Sequence, residues 1–453
     1  MPLRKLMFPT LVTFVALGGG CTAAPPTAMA SDSSAGESPS AVYFLGVDQL
    51  PAGDEGAHLA ALFSSTPADR WALTDAARAI AARAGSGAVD LSAPIDRWNP
   101  KTDPYNFGLV SLRGASYHTL TWEGKASRTL VRIDLTWLQI GHEQRTRMQS
   151  QKLPELRYSV SLYEISEFNS DLPPTQEQLD GFYRKAFDAS VTELLRRANR
   201  ESRRLSTRTA GQLRYVLVTP PVVLDSAGRS VSQFSDVSAS RNVAQGLSDA
   251  MASYLEHKLL ESFSGNAGLD DVVLLPNAQT LAYLQGEWSS FARRVAALST
   301  YSANLEATGF QPPRLLHAVP VCTATDENNV HALEVRSNLA DIKLRTTPYN
   351  KRVEWVTLTA FLAADVKLPL DGTRSRQPLA APMPPLQTNA TSTAVQKPVE
   401  ISAEDFLGFE TAQRAIATAV EPLASAVAAR LLDILRNSPP LSHPSYQGSC
   451  REQ

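Results

Sequence analysis

The chain has 453 residues, 43 Lys+Arg against 45 Asp+Glu, and 43% hydrophobic residues. That apolar content excludes a wholly disordered chain, and the near-neutral charge excludes a dedicated nucleic-acid binder. At roughly 100–200 residues per domain, the length accommodates two or three domains, or two halves of one.

The first residues read Met1-Pro-Leu-Arg4-Lys5, then a mostly apolar run from Leu6 to Leu17, then Gly18-Gly-Gly-Cys21. A basic start, an apolar run and a small-residue zone make a secretory signal over 1–20. The run is shorter than the ~20 residues a membrane span needs. The residues before Cys21 resemble a bacterial lipobox, although Gly18 stands where that motif usually has a large apolar residue. The resemblance implies cleavage before Cys21 and diacylglycerol on its sulfur, with palmitate among the attached chains. Cleavage after Ala28-Met29-Ala30 is the alternative. Thr22 after the cysteine implies an outer-membrane address in lipoproteins of this kind. Residues 21–40, rich in Ala, Pro, Ser and Thr, read as a tether. The only other cysteines are Cys322 and Cys450, a candidate disulfide in an oxidising periplasm.

Val42–Val47 is a continuous apolar run and reads as a buried strand. A short helix near His58–Phe63 follows, then one over about 67–84. Phe107–Leu112 and Tyr117–Trp122 read as strands with a turn at 123–125. Val131, Ile133, Leu135 and Trp137 alternate with Arg132, Asp134 and Thr136. Leu156, Tyr158, Val160 and Leu162 alternate with Arg157, Ser159 and Ser161. Each predicts a half-buried strand with one wet face. A helix over about 175–201 carries the stripe Tyr183, Phe187, Val191, Leu194, Leu195 and Ala198.

A second half opens with the apolar strand Leu213–Val218, broken by Pro220-Pro221. A helix over 243–263 and a strand over 271–275 follow. Leu281, Leu284, Trp288, Phe291, Val295 and Leu298 recur at 3-4 spacing and predict a long helix over 278–307. Its narrow stripe suits either the chain's own core or a partner helix. Strands follow at 314–321, 332–336 and 353–366, with turns at 348–350 and 371–372. Residues 376–400 are Pro-rich and read as a linker. Residues 401–437 form an Ala-rich helix packing on the second domain, where Pro422 predicts a kink or restart. Residues 438–453 are a tail.

The expected organisation is therefore two α/β domains, 41–208 and 209–375. The fold class is α/β, with α+β as the alternative. Mixed sheets flanked by helices form two pseudo-repeated β-α-β-β-α halves, plus one long helix.

The element order of the second half, behind a lipidated cysteine, resembles the periplasmic α/β domain of curli-secretion-channel lipoproteins and of activators of penicillin-binding proteins. The resemblance covers about half the chain and rests on element order. It implies a non-enzymatic envelope protein that binds other proteins or assembles into rings.

The residues themselves show no zinc spacing, P-loop, G-x-S-x-G or C-x-x-C. No cofactor is expected, and catalysis is not favoured. Eight cations between Arg184 and Arg208 face only Asp188, Glu193 and Glu201. That run is read first as a solvated helix face. Asp270-Asp271 is read as a solvated turn. The expected role is an outer-membrane lipoprotein facing the periplasm, structural or protein-binding, whose partners are the bilayer and a protein or a second copy. The alternatives are a ring-forming secretion component and an envelope hydrolase.

Overall fold

The computed structural model of the chain describes residues 42–49, 59, 61–63, 72–84, 106–122, 126–141, 155–206, 214–218, 222–224, 241–275, 332–350, 353–367, 386–396 and 401–437. The predicted helix over 278–307 and strand over 314–321 lie outside the described residues.

In the first half, β1 (Tyr43–Gln49) and the helix α1 (Ala72–Ala84) precede a meander. The meander comprises β2 (Asn106–Trp122), β3 (Ala126–Gly141) and β4 (Glu155–Ser170). The sheet order is β1-β2-β3-β4, with β1 parallel to β2 and the other pairs antiparallel. Parallel neighbours need a crossover, and α1 lies within it. The two short strands expected at 107–112 and 117–122 are one strand of 17 residues. Its register shifts between Leu112 and Gly114, so Arg113 is the extra residue of a bulge.

The helix α2 (Gln176–Ser206) begins where the sequence caps it. Thr175 Oγ1 accepts from the Gln178 amide at 3.3 Å, and Gln178 Oε1 accepts from the Thr175 amide at 2.8 Å. This reciprocal pair is a capping box. The predicted stripe of α2 is buried, as are Val131, Ile133, Leu135 and Trp137. Tyr117 meets Tyr183 edge-on at 5.4 Å, and the Tyr158 hydroxyl donates to the Ala198 carbonyl at 3.1 Å. Each large side chain buried here contributes about 1.5–3 kcal/mol. The Trp137 ring stacks on Phe44 at 6.3 Å and lies across Gly108, where any Cβ would collide with it.

The second half contains β5 (Arg214–Val218), β6 (Val222–Leu224), the helix α3 (Arg241–Ser264) and β7 (Val272–Leu275). A second meander follows, with β8 (Ala332–Asn350), β9 (Val353–Lys367) and β10 (Leu386–Gln396), and then the helix α4 (Ile401–Asn437). The sheet order is β10-β9-β8-β5-β7, with β6 also on β8. β5 and β6 both pair in parallel with β8, one after the other along it. The two halves therefore share their wiring. In each, an opening strand lies parallel to the first strand of an antiparallel meander, and a long helix follows the meander. The second half adds β7 outside β5.

Two further expectations are corrected. Residues 386–396, inside the stretch read as a linker, form β10 in unbroken antiparallel register with β9. Of the kink or restart expected at Pro422, the restart does not occur: α4 is one continuous helix through that residue. Thr418, Glu421 and Pro422 are all exposed, so water reaches the carbonyl that proline leaves without a donor. The described residues on both sides of the expected boundary at 208/209 belong to one compact unit. The reason lies in the helices of the second half. α3 and α4 pack on each other and on their own sheet, and α3 also packs on β4 and α4 on β2. The face of the first sheet expected to be wet is thereby covered: Asp134, Thr136 and Ser161 are buried.

A buried polar seam as the candidate functional site

Arg113 leaves the sheet at the β2 bulge. Its Nε donates to Asp134 Oδ1 on β3 at 3.2 Å, and its Nη1 donates to Glu256 Oε2 on α3 at 3.2 Å. The Glu256 side chain is 0% exposed and that of Arg113 is 6%. Ser161 Oγ on β4 donates to Glu256 Oε2 at 2.6 Å, and Ser253 Oγ on α3 donates to Asp134 Oδ2 at 2.8 Å. Burial works against the guanidinium charge, but the two carboxylates outweigh it and raise the Arg113 pKa above its ordinary value. Charges taken out of water persist only when paired and hydrogen-bonded in this way.

The seam continues along both helices of the second half. The Tyr163 hydroxyl donates to Gln413 Oε1 on α4 at 2.6 Å, and burial raises its pKa. Arg128 pairs with Glu410 and lies over the Phe406 ring at 5.4 Å. His118 stacks on Phe409 with ring centroids 4.3 Å apart. Ser159 Oγ donates to the Leu274 carbonyl of β7 at 2.9 Å.

A second cluster joins α2 to α3. Glu193 accepts from Arg196 at 2.6 and 2.7 Å and from Arg197 at 2.6 Å. Arg197 also contacts His257, and its Nη2 donates to Glu261 at 3.4 Å. Burial, then the Arg197 charge, push the His257 pKa down to about 4. Partial burial opposes ionisation of Glu193, yet hydrogen bonds from Arg196 and Arg197 hold it at about 2. Further along α2, Arg204 donates to the carbonyls of Leu269, Asp270 and Val272 at 3.0, 2.5 and 2.6 Å. It also holds Glu201 at 2.6 Å. Two cations of the run expected to face solvent, Arg197 and Arg204, are thus turned inward. Asp271 of the expected turn pairs with Arg214 at 2.5 Å.

The predicted lipid-attachment residue Cys21, the disulfide candidates Cys322 and Cys450, and the partner-helix residues Leu281, Leu284, Trp288, Phe291, Val295 and Leu298 all lie outside the described residues. Sequence reasoning missed the seam. The available signal was Glu256, a charged residue set among the buried positions Met251, Leu255, Leu259 and Leu260 of α3. Among the described residues no cluster of three or more His, Cys, Asp or Glu has metal-binding geometry. One described segment, Phe409–Arg436, is long and apolar enough to cross a membrane. It lies within α4, which packs on α3, β9 and β10. No protein-family model, curated protein or solved structure matches the chain.

Chemically, the seam places acids, bases and cations against one another across the line between the halves. Such an arrangement fixes the halves in one registration.

Proposed function

We propose that the chain is an exported bacterial lipoprotein, held in the outer membrane by acyl chains on Cys21 and facing the periplasm. Its role there is structural or protein-binding. The observation that carries this reading is the run of basic start, apolar stretch and small residues ending at Cys21. The seam supports the structural role: buried charges brace the halves against each other, as suits a rigid scaffold. In the oxidising compartment this address implies, Cys322 and Cys450 form a disulfide.

The test is fractionation of cells expressing the full chain or Cys21→Ala, with metabolic labelling by a clickable palmitate analogue. Label and membrane association should both disappear with Cys21→Ala. Unchanged membrane association in the variant overturns the anchor. Alkylation of both remaining cysteines without reductant overturns the disulfide.

A further inference from the structure

A strand at the edge of a sheet presents a row of amide and carbonyl groups to any other strand, and proteins guard such edges with charge, proline, bulges or brevity. Among the described residues five strands pair on one side alone, and four of them are guarded, β6 by its length of 3 residues. β1 carries Asp48 and a register shift at Phe44/Gly46, with Gly46 at φ 125°. β4 carries Glu155, Arg157, Glu164 and Glu167. β7 has only 4 residues.

β10 lacks all of these devices. It is 11 residues long and reads LQTNATSTAVQ, with no charge, proline or glycine. It pairs with β9 from Leu386↔Ala364 to Gln396↔Glu354 without a register shift. Among the described residues it pairs with β9 alone. α4 packs against it.

We infer that β10 is a self-association edge: a second copy of the chain adds its own β10 antiparallel to this one, joining the two sheets across a two-fold axis. Three features favour a second copy over a foreign strand. A strand without charge meets no like-charge repulsion when it lies opposite itself. Centred pairing sets Thr391 opposite Thr391 of the second copy, Ser392 opposite Ala390 and Thr393 opposite Asn389, so small and uncharged residues meet along the middle of the strand. Two-fold pairing uses both edges and closes the assembly. An overlap of this length supplies about ten main-chain hydrogen bonds, from alternate residues of each strand.

The inference does not depend on the lipid anchor, and its test is run on both the full chain and Cys21→Ala, so either proposal can fail alone. Sedimentation velocity in detergent at micromolar concentration should give a dimer. Thr391 lies at the centre of β10, so centred pairing sets it opposite its own copy. Thr391→Lys should then be monomeric, as should Thr391→Glu, and mixing the two variants should restore the dimer. A monomeric wild type overturns the inference, as does a Thr391→Lys dimer. Hydrogen exchange gives an independent reading. Alternate β10 amides should exchange freely in the Thr391→Lys monomer and be protected in the wild type. Protection of all β10 amides in the monomer would show the edge already covered by the chain itself, and would also overturn the inference.

Discussion

Arg113 reaches from the first half of the chain to Glu256 in the second, 143 residues away in sequence, with its Nη1 3.2 Å from Oε2. The contact exists because the β2 bulge leaves Arg113 out of the pairing register with β3 and turns it from the ladder. Removing one member of a buried ionic group leaves the others without compensation. Arg113→Met should therefore cost about 3–5 kcal/mol in urea unfolding. Glu256→Gln keeps the shape and should cost less. The double variant should be non-additive by about 0.5–3 kcal/mol.

Acid should loosen the junction of α2 and α3 in two windows. Unfolded, the His257 imidazole binds its proton near 6.5; folded, it does so only near 4. Between these values the unfolded chain holds more protons, so stability falls as pH drops from 6.5 to 4. Glu193 titrates near 4.5 unfolded and about 2 folded, so its contribution is present above 4.5 and is lost as pH falls toward 2. Melting temperature against pH should show both slopes. His257→Gln should flatten the upper window and leave the lower one.

Gly108 is required by its neighbour. Gly108→Ala drives a methyl into the Trp137 ring, which is fully buried. Overpacking of this kind costs about 1–3 kcal/mol. Thermal melts should show the loss, and Trp137→Phe in the same chain should recover a share of it.

Arg204 caps three carbonyls from a single side chain. Arg204→Ala should cost about 1.5–3 kcal/mol, the scale of a hydrogen bond to a charged group. Lysine lacks the planar fork, so Arg204→Lys should recover only a fraction in the same unfolding measurement.

The strands β3 and β4 and the helix α2 are legible in the sequence because hydrophobic period reports local geometry directly. The alternation of Arg132, Asp134 and Thr136 also predicts a wet face, and there the reading fails. Period two says which residues share a face, but not what lies over that face. The cover comes from α3, more than a hundred residues further along the chain. Arg113 is invisible for a related reason: a bulge is a property of two strands in register, not of one. β10 is hidden by the proline-rich residues that precede it, which give the whole stretch the texture of a linker. At Pro422 the sequence leaves kink and restart both open, because a proline's effect depends on whether water or protein faces the carbonyl it frees.

An oily contact between two bodies forgives sliding, since one methyl replaces another at little cost. The Arg113, Asp134 and Glu256 triad has no such tolerance, because a shift by one helical step sets each charge against a group that does not answer it. A half-docked arrangement that strands these charges without partners should therefore be less stable than the docked one.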